Sequence, residues 1–149
     1  MRFFFRLERI LQLRASKEKE RARALSGALR EEEERRKALE TASDRLGRCG
    51  EQIAGAAGKT TTAGTLRNMD LAVRAAAGQV EAAQSSHRAA EEQVVTEQEK
   101  FGEARTERRV VERLRERRLS AWQVETSREE QNDHDETARH SRQRTGKST

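Results

Sequence analysis

The chain has 149 residues, of which 38% are charged, 33% hydrophobic and 3% aromatic, and it contains neither proline nor tyrosine. That inventory excludes a thick globular core but suits long Ala/Glu/Arg/Leu helices that share a narrow apolar seam. The formal net charge is +5, and a single cysteine, Cys49, excludes an intramolecular disulfide framework and fits a reducing compartment.

The opening MRFFFRLERILQLR begins like a signal peptide. Arg6, Glu8 and Arg9 interrupt the apolar run directly after the three phenylalanines, well short of an h-region or a bilayer span. A cytoplasmic chain without its own membrane anchor is therefore expected. From about residue 3 to 53 a first helix is predicted, because every seventh position from 4 reads Phe4, Leu11, Glu18, Leu25, Glu32, Leu39, Leu46 and Ile53, six apolar of eight. A companion line of Leu7, Ala28, Ala42, Cys49 and Ala56 completes the seam with small residues. Arg14, Arg21 and Arg35 fall on the same line, where their stems flank the seam while their charges stay in water. A disordered chain has no reason to keep such a period. The run EEEERRK at 31 to 37 places Glu31 over Arg35, Glu32 over Arg36 and Glu33 over Lys37 in the favourable acid-first order, which marks a solvated face.

Gly47 to Thr65 holds five of the nine glycines. Between two heptad-patterned segments it reads as a hairpin tip, with the reversal itself over about 54 to 65. Gly55 to Thr60, GAAGKT, and the terminal TGKST both resemble the end of a phosphate-binding loop. The required first glycine is replaced by Ile53 and Ser141, and no apolar strand precedes either segment, so no nucleotide site is expected.

A second helix is predicted over about 66 to 131. Its heptad line is Leu66, Val73, Val80, His87, Val94 and Phe101, with Met69, Ala76, Ala83, Ala90, Ala104 and Val111 beside it, before the apolar phase shifts toward Leu114, Ala121 and Trp122. His87 reads as a tolerated seam residue. His134 and His140, with Asp133 and Asp135, do not converge at helical spacing, so neither a metal site nor a cofactor is expected. Reversal near 59 to 60 places Phe4 opposite about residue 115, and everything after about 118 overhangs, ending in a polar, frayed tail at 137 to 149. Trp122, the only tryptophan, lies in that overhang. Either the Phe3-Phe4-Phe5 cluster folds over its ring, or it is an exposed anchor for another protein. The second reading rests on three consecutive helical aromatics pointing in three directions, too many for one seam.

Residues 1 to 48 carry 14 basic and 9 acidic groups, 101 to 124 carry 7 and 4, and 49 to 100 carry 5 and 7. A hairpin brings the two basic stretches together at its open end, a surface able to steer an acidic protein or a nucleic acid. Nothing in the pattern forms a pocket where a reacting group is shielded, so catalysis is not expected. The fold class predicted is all-α: one long antiparallel two-helix coiled-coil hairpin over residues 1 to 149, with a Gly-rich tip and an overhanging C-terminal helix end.

The opening RFFFRLERILQLR resembles the start of the flagellar FliJ family, in which an F-x-F-x-L-x-x-[IL]-L-x-[LI] segment begins the first helix. Val111 to Glu136 is similar to that family's C-terminal segment, an E-[KR]-[LM]-[KR]-E-[KR] run followed by an aromatic, a glutamate and an acidic pair. Here these are Glu112, Arg113, Leu114, Arg115, Glu116 and Arg117, then Trp122, Glu125 or Glu130, then Asp135 and Glu136. Residues 30 to 105 match in composition only, with an unusually glycine-rich tip and an alanine-rich second helix.

The resemblance implies a cytoplasmic component of the flagellar type III export apparatus, peripherally associated with the inner face of the membrane at the flagellar base. Its fold would be similar to the central stalk of rotary ATPases. Its implied partners are the hexameric export ATPase, a membrane export gate protein and substrate-free export chaperones. On this chain Phe3, Phe5, Leu7 and Leu11 would hold the open end together and Trp122 would anchor in the ring. Arg113, Arg115, Arg117 and Arg118 would meet its acidic groups, with Glu130, Asp135 and Glu136 beyond them. Two other readings of the same residues stay open, a nucleic-acid-binding coiled coil and a parallel structural homodimer.

Overall fold

The computed structural model describes residues 3–145 and contains two helices, α1 (Glu8–Ala56) and α2 (Ala63–Thr145), packed on each other as an all-α hairpin. The antiparallel pairing replaces the parallel homodimer reading. Partners on α2 fall in number as those on α1 rise: Glu8 meets Arg115 and Glu18 meets Arg108, and nearer the turn Glu32 meets His87 and Arg45 meets Gln79.

The reversal is built from end signals at both helices. Past Ala56 the chain adopts the left-handed conformation at Gly58, with φ of 81°, where a side chain would be strained. The Lys59 N–H then bonds back to the Ala56 carbonyl at 3.2 Å. Thr62 caps α2: its Oγ1 accepts the Thr65 N–H at 3.2 Å and lies 2.8 Å from the Thr65 hydroxyl. The GAAGKT segment is therefore the end of one helix and the turn after it. The Thr62 cap starts α2 before the expected Leu66.

The seam follows the heptad period through most of both helices. On α1 the half-buried or buried positions include Leu11, Arg14, Glu18, Arg21, Leu25, Ala28, Glu32, Leu39, Ala42, Leu46 and Cys49. On α2 they run Met69, Val73, Ala76, Val80, Ala83, His87, Ala90, Val94, Glu97, Phe101, Ala104, Arg108 and Val111. Ala28, Ala76, Ala90 and Ala104 are buried, since their small side chains let the two backbones approach.

The companion line passes over position 97, which the fold nevertheless places in the seam. Glu97 is 6% exposed. Gln93 Nε2 and Lys100 Nζ donate to its Oε1 at 3.1 and 2.9 Å, while Oε2 is buried without a partner.

The chain divides into two compact units, Lys19–Glu103 on one hand and Met1–Glu18 with Ala104–Thr149 on the other. The first, here the tip unit, has an alanine- and valine-lined seam. The second, the open-end unit, keeps buried Ala104 but is held in addition by arginine and lysine ion pairs across the helices and by the Phe3–Trp122 contact, whereas the tip unit has the Glu32–His87 contact across its seam.

Candidate functional site

The open-end unit holds the residues that sequence reasoning singles out. Its first segment is not helical: α1 starts at Glu8 and not near Phe3. Three consecutive phenylalanines are poor helix formers. Glu8 supplies an acidic side chain in the first turn, and its N–H bonds the Phe5 carbonyl at 3.1 Å. Freed from helical geometry, the three rings do separate work. Phe5 is buried at 8% exposure, Phe4 stands 82% exposed, and Phe3 packs against Trp122 with centroids 5.8 Å apart and planes tilted by 52°.

Two expectations are corrected by this arrangement. Phe4 leaves the seam line and Phe5 takes its place, because the backbone before Glu8 no longer has a helical period. Trp122 is half-buried beneath Phe3, so it is not a lone ring on an overhang. The apolar phase after Val111 also moves differently, passing through Arg115, Leu119, Trp122 and Thr126, while Ala121 is exposed and Leu114 is 38% exposed. Two successive steps of four residues between Val111 and Leu119 break the heptad and turn a new face inward.

Below the rings the seam is ionic. Arg115 Nε donates to Glu8 Oε2 at 3.1 Å. Glu107 is shared by Arg14 and Lys17, the latter at 3.2 Å, and its carboxyl is held below the usual carboxylate range by the Lys17 hydrogen bond first and by the charge of Arg14. Arg108 bridges Glu18 across the seam and Glu112 on its own helix, the latter at 2.6 Å. Its guanidinium is held above the ordinary arginine range, chiefly by the hydrogen bond to Glu18. Leu7 and Leu11 are half-buried beside these pairs.

Phe3, Phe4, Phe5, Leu7, Leu114, Ala121 and Trp122 line an open cleft of about 660 Å³ together with the charged Arg6, Arg118 and Glu125. Arg113, Arg117 and Arg118 are exposed on α2, whereas Arg115 is engaged with Glu8. From Ser127 to His140 every residue of α2 is exposed, Glu130, Asp135 and Glu136 among them. The helix continues to Thr145, so the expected frayed tail is helical as far as the description extends. Residues 146–149, with most of the TGKST segment, lie outside the described residues. Phe4 is the site residue that sequence reasoning missed, and only the loss of helix before Glu8 exposes it.

Among the described residues no helix is long and apolar enough to cross a membrane. No curated protein and no solved structure matches the chain. The family model described as flagellar FliJ protein matches residues 3–147. That match runs through the aromatic opening, both helices and the turn. The chain belongs to the FliJ family, a structural and export family of the flagellar export apparatus and not a known enzyme family.

Proposed function

We propose that the chain is a non-enzymatic stalk of the flagellar type III export apparatus, seated in the hexameric export ATPase, linking it to the membrane export gate and escorting substrate-free export chaperones. It would act in the cytoplasm, against the inner face of the membrane at the flagellar base. The observation that carries this reading is the exposed Phe4 beside the Phe3–Trp122 cleft, which Arg6 and Arg118 also line. An aromatic that projects from a packed platform with arginine beside it is the composition of a protein-binding hot spot.

The residues divide into two roles. Phe3, Phe5, Leu7 and Leu11 hold the platform, and Arg115 pins it through Glu8. Phe4 and the open face of Trp122 enter the partner, with Arg113, Arg117 and Arg118 meeting its acidic groups. Glu130, Asp135 and Glu136, on the exposed length of α2, offer a further charged contact. A nucleic-acid role is the weaker reading, because Arg14, Lys17, Arg108 and Arg115 are already neutralised by carboxylates.

Titration of the purified export ATPase with the chain tests the proposal. Phe4→Ala should weaken binding by about 2 kcal/mol, roughly thirtyfold, with helicity unchanged. Equal affinity for the wild type and for Phe4→Ala combined with Arg118→Ala would remove the open end as the binding site. Tight binding of duplex DNA with a steep salt dependence would favour the nucleic-acid reading instead.

A further inference from the structure

His87 occupies a seam position on α2, on the same heptad line as Val80 and Val94, with 16% of its side chain exposed. Its Nε2 lies 2.8 Å from Glu32 Oε1 of α1, and its Nδ1 lies 3.7 Å from Glu91 Oε2, one turn further along α2. One carboxylate is enough to satisfy a half-buried imidazole. Here two converge on it from different helices, and one ligand atom from each of the three residues lies within 4.8 Å of the others.

We infer that Glu32, His87 and Glu91 form a binding site for a divalent first-row transition ion of the zinc class, which ties α1 to α2 within the tip unit. His87 and Glu91 are four residues apart, the spacing that puts two ligands on one helix face, and Glu32 closes the site from the opposite helix. Nitrogen and oxygen ligands bind zinc at about 2.0–2.2 Å, so neighbouring donors of one tetrahedral ion stand about 3.4 Å apart. The 2.8 Å contact between His87 Nε2 and Glu32 Oε1 is close to that separation, whereas the 3.7 Å contact of Glu91 is to Nδ1, so Glu91 must turn toward the Nε2 side to complete the site.

One ion takes one ring nitrogen. Nε2 already faces α1 and Glu32. The Glu91 side chain is 56% exposed and able to swing toward the ion without repacking the seam. Charge favours the arrangement as well, because two carboxylates cancel a divalent cation and leave the half-buried site neutral. A donor set containing imidazole, without a thiolate and without a cage of six or more oxygens, selects zinc, nickel or copper over magnesium or calcium. Bound only by the folded hairpin, the ion stabilises the tip unit through its binding free energy.

The test is calorimetric titration of the full chain, made without a polyhistidine tag, with zinc chloride, together with thermal melting followed by circular dichroism. One ion per chain and a higher melting midpoint are expected. His87→Ala and Glu32→Gln should each weaken binding at least about tenfold. Glu91→Gln changes an exposed residue that leaves the seam intact, and it should weaken binding with unchanged helicity. The double variant His134→Ala, His140→Ala removes the other two histidines and should bind as the wild type does. Absence of zinc binding by the wild type at submillimolar concentration would overturn the site. So would binding that survives His87→Ala, binding lost in the double variant, or magnesium bound as tightly as zinc.

Discussion

The tip unit and the open-end unit use the same two helices but hold them together differently. In the tip unit Ala28, Ala76 and Ala90 are buried, and the pairing depends on close backbone approach and dispersion. In the open-end unit Glu8–Arg115, Glu18–Arg108 and the Arg14–Glu107–Lys17 cluster cross between the helices, with the Phe3–Trp122 contact above them. Alanine layers are insensitive to solution conditions but intolerant of added volume or charge. Half-exposed ion pairs add little net stability, yet they set register and respond to acid and salt. A hairpin built from both can stay paired near its turn while the chemistry of its open end changes.

The comparison breaks most visibly if a charge enters the alanine seam. Ala76 is 3% exposed, so Ala76→Asp buries an unpaired carboxylate and should cost about 3 kcal/mol or more, lowering the circular dichroism melting midpoint sharply. An unchanged midpoint would mean that the alanine layers do not hold the tip unit. The matching change in the open-end unit is Phe5→Ala, which empties the one buried ring there and should cost about 2–3 kcal/mol. Because Trp122 is the only tryptophan, its fluorescence reports the open-end unit alone and should change with Phe5→Ala. A smaller effect of opposite sign is expected from Glu97→Leu. It removes a buried carboxylate whose Oε2 has no partner and should raise the midpoint by about 1 kcal/mol of stability.

How much of this was legible in the sequence follows from what sets each feature. The seven-residue period is a property of side chains on regular helix, so the seam from Leu11 to Cys49 and from Met69 to Val111 is readable directly except at Glu97 and Arg108, whose charge hides them from a count of apolar residues. Where backbone geometry changes, the period carries no information. Phe3 to Phe5 fall before the first helical residue, so counting sevens assigned Phe4 to the seam that Phe5 occupies. The steps of four after Val111 likewise moved Arg115 and Leu119 inward and left Leu114 and Ala121 outside. Trp122 had two sequence readings, and only the register decided between them, since a shift of a few residues determines whether Phe3 reaches the ring. The Thr62 cap lies between Gly58 and Gly64, which permit a reversal at several places, so the sequence alone does not fix where α2 begins. His87 was legible as a seam residue, whereas its two carboxylate neighbours depended on which α1 layer it faces.

The smallest expected effect sharpens the comparison through pH. Glu107 has its carboxyl held below the usual range by Lys17 and Arg14, so its folded-state pKa lies below its unfolded value. The contribution of this pair is therefore fully present above the ordinary glutamate range of about 4.3 and is lost as pH falls through the lower folded value. Between neutral pH and about 5 the Trp122 fluorescence should stay constant. Further acidification should shift it, because protonated Glu107 releases Lys17 and Arg14 and loosens the seam beneath the Phe3–Trp122 contact. Glu107→Gln should abolish part of that acid transition, and added salt should mimic a fraction of it at neutral pH. If instead the helical signal of the whole chain were lost at the same pH as the fluorescence change, the two units would share one mode of stabilisation. The contrast between alanine and ionic seams would then have no energetic meaning.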